Sequence, residues 1–171
     1  MTKQNDGQEP VALLEPMRLS SSAFENEGTV PDTYTCRGRN ISPPLAFENP
    51  PAGTESYALI MEDLDTPVGT VTHWVAYNIP ADTDGLAEGI PGDRLLTNGG
   101  SQGRNGMFRI GYMGPCPPWG RHRYLFRLFA LDAVIDPGQG SNKRRLLRAM
   151  EFHILAQARL LGYYSRKRRR K

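Results

Sequence analysis

GYMGPCPPWGRHRYLFRLFALDA, residues 111–133, sets a loop dense in proline and glycine directly before an aromatic and aliphatic run. Gly111 to Gly120 holds three glycines and three prolines. Between Pro115 and Pro118 only Cys116 keeps a backbone N–H, because proline has none and its ring fixes φ. The run from Tyr124 to Ala133 is the pattern of a strand entered from a stiff turn. The same punctuation recurs upstream: Tyr57 to Met61 and Val71 to Ile79 are further strand candidates bounded by Gly, Pro, Asn and Asp clusters. Short strands at close spacing from about Met17 to residue 135 point to an all-β or mostly β sandwich.

One segment departs from that pattern. From Asn142 to Tyr163, Leu147, Met150, Ile154, Ala158 and Leu161 recur every three or four residues, so an amphipathic helix is expected, with Ser141 or Asn142 capping it and Gly162 near its end. His153 falls inside this segment as a packing residue. Lys143, Arg144, Arg145 and Arg148 crowd the start of the helix, where cations oppose its dipole.

The chain has 171 residues and a formal net charge of +3, unevenly spread. Residues 141–171 hold eleven basic residues against Glu151 alone, while residues 1–140 are net acidic. This length suits one domain. A hydrophobic content of 39% fits a globular protein, and no apolar run approaches the roughly 18 residues of a membrane span. Residues 1–15 read as a flexible leader without the apolar region of a secretory signal, residues 16–165 as the domain, and residues 166–171 as a basic tail. A cytoplasmic location is expected. Cys36 and Cys116, 80 residues apart and without metal-ligand spacing, are expected to be free thiols.

Two segments could carry chemistry. In EDLDTP, residues 62–67, strand alternation puts Asp63 and Asp65 on one side if the strand persists, although acids at strand ends also make Asx-turns. His73 opens the next strand beside Trp74. In the second segment the Cys116 N–H is aimed by its prolines at a small anion, and a rigid loop loses little ordering entropy on binding. His122 and Tyr124 leave that loop on one face of the strand, with Arg123 on the other.

Together EDLDTP, THWVAYNIP (72–80), GYMGPCPPWGRHRYLFRLFALD (111–132) and FHILAQARLLGYYSR (152–166) resemble the phosphatidylethanolamine-binding protein family in its bacterial and archaeal Raf-kinase-inhibitor-like branch. PDTYTCRGRNISPPLAFENPPAGTESYALI (31–60) and Gln102-Gly103-Arg104-Asn105 support the match. The resemblance implies a mostly β fold, a large antiparallel β-sandwich with peripheral helices, and a small pocket near one end for phosphate, acetate or a phosphorylethanolamine head group. Its ligand-binding residues map onto Asp63, Asp65, Pro67, His73, Gly114, Cys116, His122 and Tyr124. It also implies binding without catalysis and without a cofactor, regulation of a kinase or protease partner, and the dimers common among related bacterial proteins. Two departures are Leu64, where the family has a proline, and Arg37-Gly38-Arg39-Asn40, where relatives place acids.

If Asp63 and Asp65 bond the histidines, they raise the histidine pKa values, and anion binding is expected to strengthen below about pH 6.5. Two alternatives stand beside this reading. A metal-dependent enzyme could use the His/Asp cluster, whereas a serine hydrolase lacks its G-x-S-x-G elbow. Arg166, Lys167, Arg168, Arg169, Arg170 and Lys171 could hold nucleic acid or an anionic membrane surface.

Overall fold

A computed structural model describes residues 14–166. The described residues build nine strands: β1 (Arg18–Ser20), β2 (Gly28–Thr29), β3 (Leu45–Glu48), β4 (Ser56–Thr66), β5 (Gly69–Pro80), β6 (Gly85–Leu86), β7 (Ser101–Gln102), β8 (Arg121–Leu131) and β9 (Ile154–Ser165). Among the same residues one α-helix, α1 (Lys143–Met150), precedes β9, and a 3-10 turn spans Asp32–Tyr34. The strands form a three-stranded sheet in the order β1-β3-β6 and a six-stranded sheet in the order β2-β9-β8-β4-β5-β7. The pairings are antiparallel except that β2 runs parallel to β9, so the sandwich is mixed at one edge rather than purely antiparallel.

β4 lies at the centre of the large sheet, bonded to β5 on one side and β8 on the other. Its residues from Ser56 to Asp63 are all buried. That explains why SYALIM reads as an unbroken apolar run rather than an alternation: both faces are covered. On one face Leu59, Met61, Trp74, Ala76, Phe126 and Leu128 meet Leu19, Phe47 and Leu86 of the small sheet. On the other, Ala58, Ile60, Val75, Tyr77, Phe129 and Leu131 pack under Leu146 and Met150 of α1.

The expected C-terminal helix stops early. It is helical from Lys143 to Met150, capped by the Asn142 side chain, which accepts from the Arg145 N–H. From Ile154 the chain becomes β9, paired along its length with β8. Two periods overlap in this segment. The three-to-four spacing of Leu147, Met150, Ile154 and Ala158 competes with an alternation of Ala156, Ala158, Leu160, Gly162 and Tyr164 toward the interior, and Ile154 is left exposed. A long partner edge on β8 decides for the alternation, since β-pairing is settled by tertiary contact rather than local propensity. Gly162 is then a packing residue rather than a helix stop: a Cβ there would lie 2.5 Å from Val30 Cγ2. His153 lies between helix and strand, its Nδ1 2.8 Å from Asp132 Oδ1.

The thiols are also not free. Cys36 and Cys116 form a disulfide across 80 residues of chain. The expectation failed because sequence separation says nothing about proximity; the two loops meet only when the sandwich closes. The leader up to residue 13 and the tail residues 167–171 lie outside the described residues. No helix among the described residues is long and apolar enough to cross a membrane.

Candidate functional site

The ends of three central strands and one clamped loop converge at one end of the large sheet. β4 brings Asp63, β5 brings His73, and β8 brings His122 and Tyr124; none of the four is more than 5% exposed. Register explains the meeting. Asp63 is opposite Tyr124 on β8 and opposite Val71 on β5, and β8 alternates with Arg121 and Arg123 outward and His122 and Tyr124 inward.

His122 Nδ1 lies 2.8 and 3.0 Å from the two Asp63 oxygens. The carboxylate accepts the Nδ1–H, so what His122 offers a ligand goes through Nε2. Asp63 Oδ1 also accepts the Asp65 N–H at 2.9 Å, an Asx-turn within β4 at the point where its pairing with β8 stops and its register with β5 shifts. The His73 ring stands edge-on to Tyr124 with centroids 5.4 Å apart, and the His122 ring is stacked with Tyr124 at 6.4 Å.

His73 Nδ1 donates to the Met113 carbonyl at 2.7 Å, and Met113 N–H donates back to the His73 carbonyl at 2.9 Å. Burial pushes the His73 pKa down, against smaller opposing effects of the Met113 carbonyl and Asp63. The expectation that carboxylates would raise it fails for this ring because desolvation outweighs the neighbouring charge. The shift favours the neutral ring near pH 7, and with Nδ1–H on the Met113 carbonyl the Nε2 is then placed to accept a hydrogen bond.

Tyr124 is fully buried, and its hydroxyl makes no well-formed hydrogen bond within the protein, although the Asp63 carboxylate and the Cys116 backbone lie close enough to act on it. Burial first, and the Asp63 carboxylate second, push its pKa far above the usual phenol value, with the Cys116 backbone acting in the opposite direction. The group is therefore a neutral O–H donor beside the Asp63 carboxylate and the Cys116 amide.

The loop that carries Cys116 is held from below. The disulfide joins it to Cys36, whose N–H donates to the Pro115 carbonyl at 3.1 Å. Gly114 N–H donates to Asn40 Oδ1 at 2.9 Å, and Tyr112 hydroxyl donates to the Tyr34 carbonyl at 2.7 Å. Gly114 has to be glycine: a Cβ would meet the Tyr34 carbonyl oxygen at 2.3 Å and Asn40 Oδ1 at 2.4 Å. The Arg37-to-Asn40 departure noted in the sequence thus belongs to the loop that braces the site.

Two expected residues lie apart from the buried cluster. Asp65 is turned outward, because the Asx-turn at Asp63 breaks the alternation that would have kept the acids together. Its carboxylate accepts from the Arg123 N–H at 2.8 Å and from the guanidinium at 2.7 to 3.2 Å, and these bonds hold its pKa below the usual carboxylate value. Pro67 is exposed in the β4–β5 hairpin turn. Sequence reasoning missed Asn40, Cys36 and Met113. A left-handed Asn40, with φ of 55°, was hinted at by its place after Arg37-Gly38-Arg39, but the Met113 carbonyl carries no side-chain signal. Among the described residues no group of three or more His, Cys, Asp or Glu side chains is arranged to hold a metal ion.

Comparison with known proteins gives consistent results. The profile of the family described as phosphatidylethanolamine-binding protein matches residues 20–165. A UPF0098 protein of Methanothermobacter thermautotrophicus is 49% identical over 150 residues, covering 88% of this chain and 99% of its own. Another from Aquifex aeolicus is 43% identical, with 88% and 89% covered. Among solved structures, CT736 of Chlamydia trachomatis, described as a phosphatidylethanolamine-binding protein homologue, superimposes with a TM-score of 0.83 at 40% identity, covering 89% of this chain and 99% of that one. YbcL of E. coli superimposes with a TM-score of 0.81 at 28% identity, with 90% and 100% covered.

Proposed function

The chain belongs to the phosphatidylethanolamine-binding protein family, and from that premise we propose that it binds, without turnover, a small phosphorylated ligand of the phosphorylethanolamine type at the Asp63, His73, His122 and Tyr124 cluster. The observation that carries this reading is the Tyr124 hydroxyl, buried between two histidines and held there by no well-formed hydrogen bond, only by loose approach to Asp63 and the Cys116 backbone. A buried donor left wholly unsatisfied costs about 1–3 kcal/mol; the poorly bonded Tyr124 hydroxyl carries part of that cost, which a ligand oxygen would relieve. The Cys116 N–H, on a rim fixed by prolines and the disulfide, supplies a second donor.

The electrostatics favour a ligand with both signs of charge. Asp63 and the neutral His73 are acceptors, and acceptors suit an ammonium or a protonated phosphate oxygen, while Tyr124 and Cys116 donate to anionic oxygens. Gly114 contributes by letting the rim approach, and Asp65 and Pro67 act only through the hairpin that ends β4. None of the named relatives is described as an enzyme, and no side chain of the cluster is placed as an activated nucleophile.

Calorimetric titration with phosphorylethanolamine and with inorganic phosphate tests the proposal. Tyr124→Phe is expected to weaken phosphorylethanolamine binding by about ten-fold or more, the value of one hydrogen bond to a charged group. Equal affinity in the wild type and Tyr124→Phe would refute the assignment. Phosphate alone should bind more weakly than the zwitterion, because it leaves Asp63 without an ammonium.

A further inference from the structure

On the opposite face of the large sheet, the face covered by α1, a cleft of about 630 Å³ opens between the helix start and the 104–108 loop. Lys143, Arg144 and Arg145 line it from α1, Arg104 from the loop, and Thr72 from β5. Thr72 is the immediate neighbour of His73, so the cleft and the pocket above lie back to back across one strand. Among the described residues Arg104, Arg144 and Arg145 have no carboxylate partner; only Lys143 is paired, with the buried Glu62, which Arg127 also neutralises. The cleft is net positive by about three charges.

Folding does not account for this charge. The first turn of α1 contains three cations and no acid, the reverse of what the helix dipole favours. Arg104 is held against the helix start by its own N–H, which donates to the Ser141 carbonyl at 2.9 Å, so the guanidiniums are gathered rather than dispersed. At the margin of the cleft Phe108 is 83% exposed, with a left-handed φ of 60°. That conformation is unfavourable for a bulky residue. Asn105 imposes it, accepting from the Met107 and Arg109 N–H groups with its side chain and from the Phe108 N–H with its carbonyl. Strain that presents an aromatic ring to solvent beside unpaired arginines points to a ligand rather than to the fold.

We propose that this cleft is a second, independent binding site for a soluble metabolite that joins a diphosphate to a planar ring. A single phosphate carries at most two negative charges, fewer than the cleft presents. A diphosphate matches it, with guanidiniums suited to bidentate contact with phosphate oxygens and the Thr72 hydroxyl as a neutral donor. The ring stacks on Phe108, an interaction that tolerates many bases.

Adenosine diphosphate and inorganic pyrophosphate are the probes, titrated by calorimetry into the full chain. ADP is expected to bind at least five-fold more tightly than pyrophosphate. The triple variant R104Q/R144Q/R145Q is expected to weaken both by ten-fold or more. Phe108→Gly is expected to weaken ADP alone and, by removing the left-handed strain, to raise the melting temperature, so loss of affinity cannot be loss of fold. Tyr124→Phe should leave ADP binding unchanged. Equal affinity for the two probes, no binding of ADP at millimolar concentration, or binding that survives the triple variant would overturn the proposal. Loss of ADP binding in Tyr124→Phe would assign the ligand to the other pocket, and tighter binding of a single-stranded oligonucleotide through the same arginines would make the ligand a nucleic acid.

Discussion

Replacing Cys36 and Cys116 together by serine removes a cross-link that closes an 80-residue loop. In the chain-entropy account, a loop of that size adds about 4.5 kcal/mol by constraining the unfolded state. The native loops are joined independently through Cys36 N–H to Pro115, Gly114 N–H to Asn40 and Tyr112 hydroxyl to Tyr34, so the folded geometry should survive and the effect should fall on the unfolded ensemble. For a chain of this length each kcal/mol corresponds to roughly 2–4 °C, and the double variant should melt about 9–18 °C lower. Both cysteines are exposed, so a reductant should reproduce the shift in the wild type and do nothing to the variant. The assay is thermal unfolding by circular dichroism with and without a phosphine reductant, alongside alkylation of the native protein. Two thiols alkylated without reductant, or a double variant melting within about 2 °C of the wild type, would refute the reasoning. Phosphorylethanolamine affinity should fall less than ten-fold, because the three hydrogen bonds still position the Cys116 amide.

Tyr124→Phe should stabilise the ligand-free protein by up to about 1 kcal/mol, since it deletes a buried hydroxyl that makes no well-formed hydrogen bond; chemical denaturation checks this, and a loss of stability would show that the hydroxyl is satisfied by Asp63 or the Cys116 backbone. Because burial lowers the His73 pKa, the unfolded chain binds more protons than the folded one below the ordinary histidine value. Stability is full above about pH 6.5 and falls with pH below it, by at most about 1.4 kcal/mol per pH unit from this ring; a His73→Gln variant should show a shallower acid limb in urea titrations between pH 5 and 7. Glu62→Gln should destabilise by about 3 kcal/mol, the low end for a broken buried pair, because Lys143 keeps 32% of its side chain exposed; thermal melts would measure it.

The sequence was most legible where one residue type dictates one outcome. The three long strands β4, β5 and β8 were visible as apolar runs between turn residues, and the inward pairing of His122 with Tyr124 followed from alternation alone. The stiff rim at Cys116 followed from three prolines. Legibility ended where two local patterns competed or where a partner was distant. Asp63 and Asp65 were expected on one side, and an Asx-turn made by Asp63 itself turned Asp65 toward Arg123. The segment after Met150 carried both a helical and a strand period, and only the open edge of β8 selected the strand.

By itself, then, the sequence determined the β-sandwich class and the proline-stiffened loop, and it singled out Asp63, His73, His122 and Tyr124 as candidates, because alternation, proline chemistry and turn residues act locally. Only the tertiary structure decided the Cys36–Cys116 bridge, the lowered His73 pKa and the buried, poorly bonded Tyr124 hydroxyl. Each of these depends on burial and on groups brought together across the closed sandwich, and desolvation is a property of the packed interior that no stretch of chain carries alone.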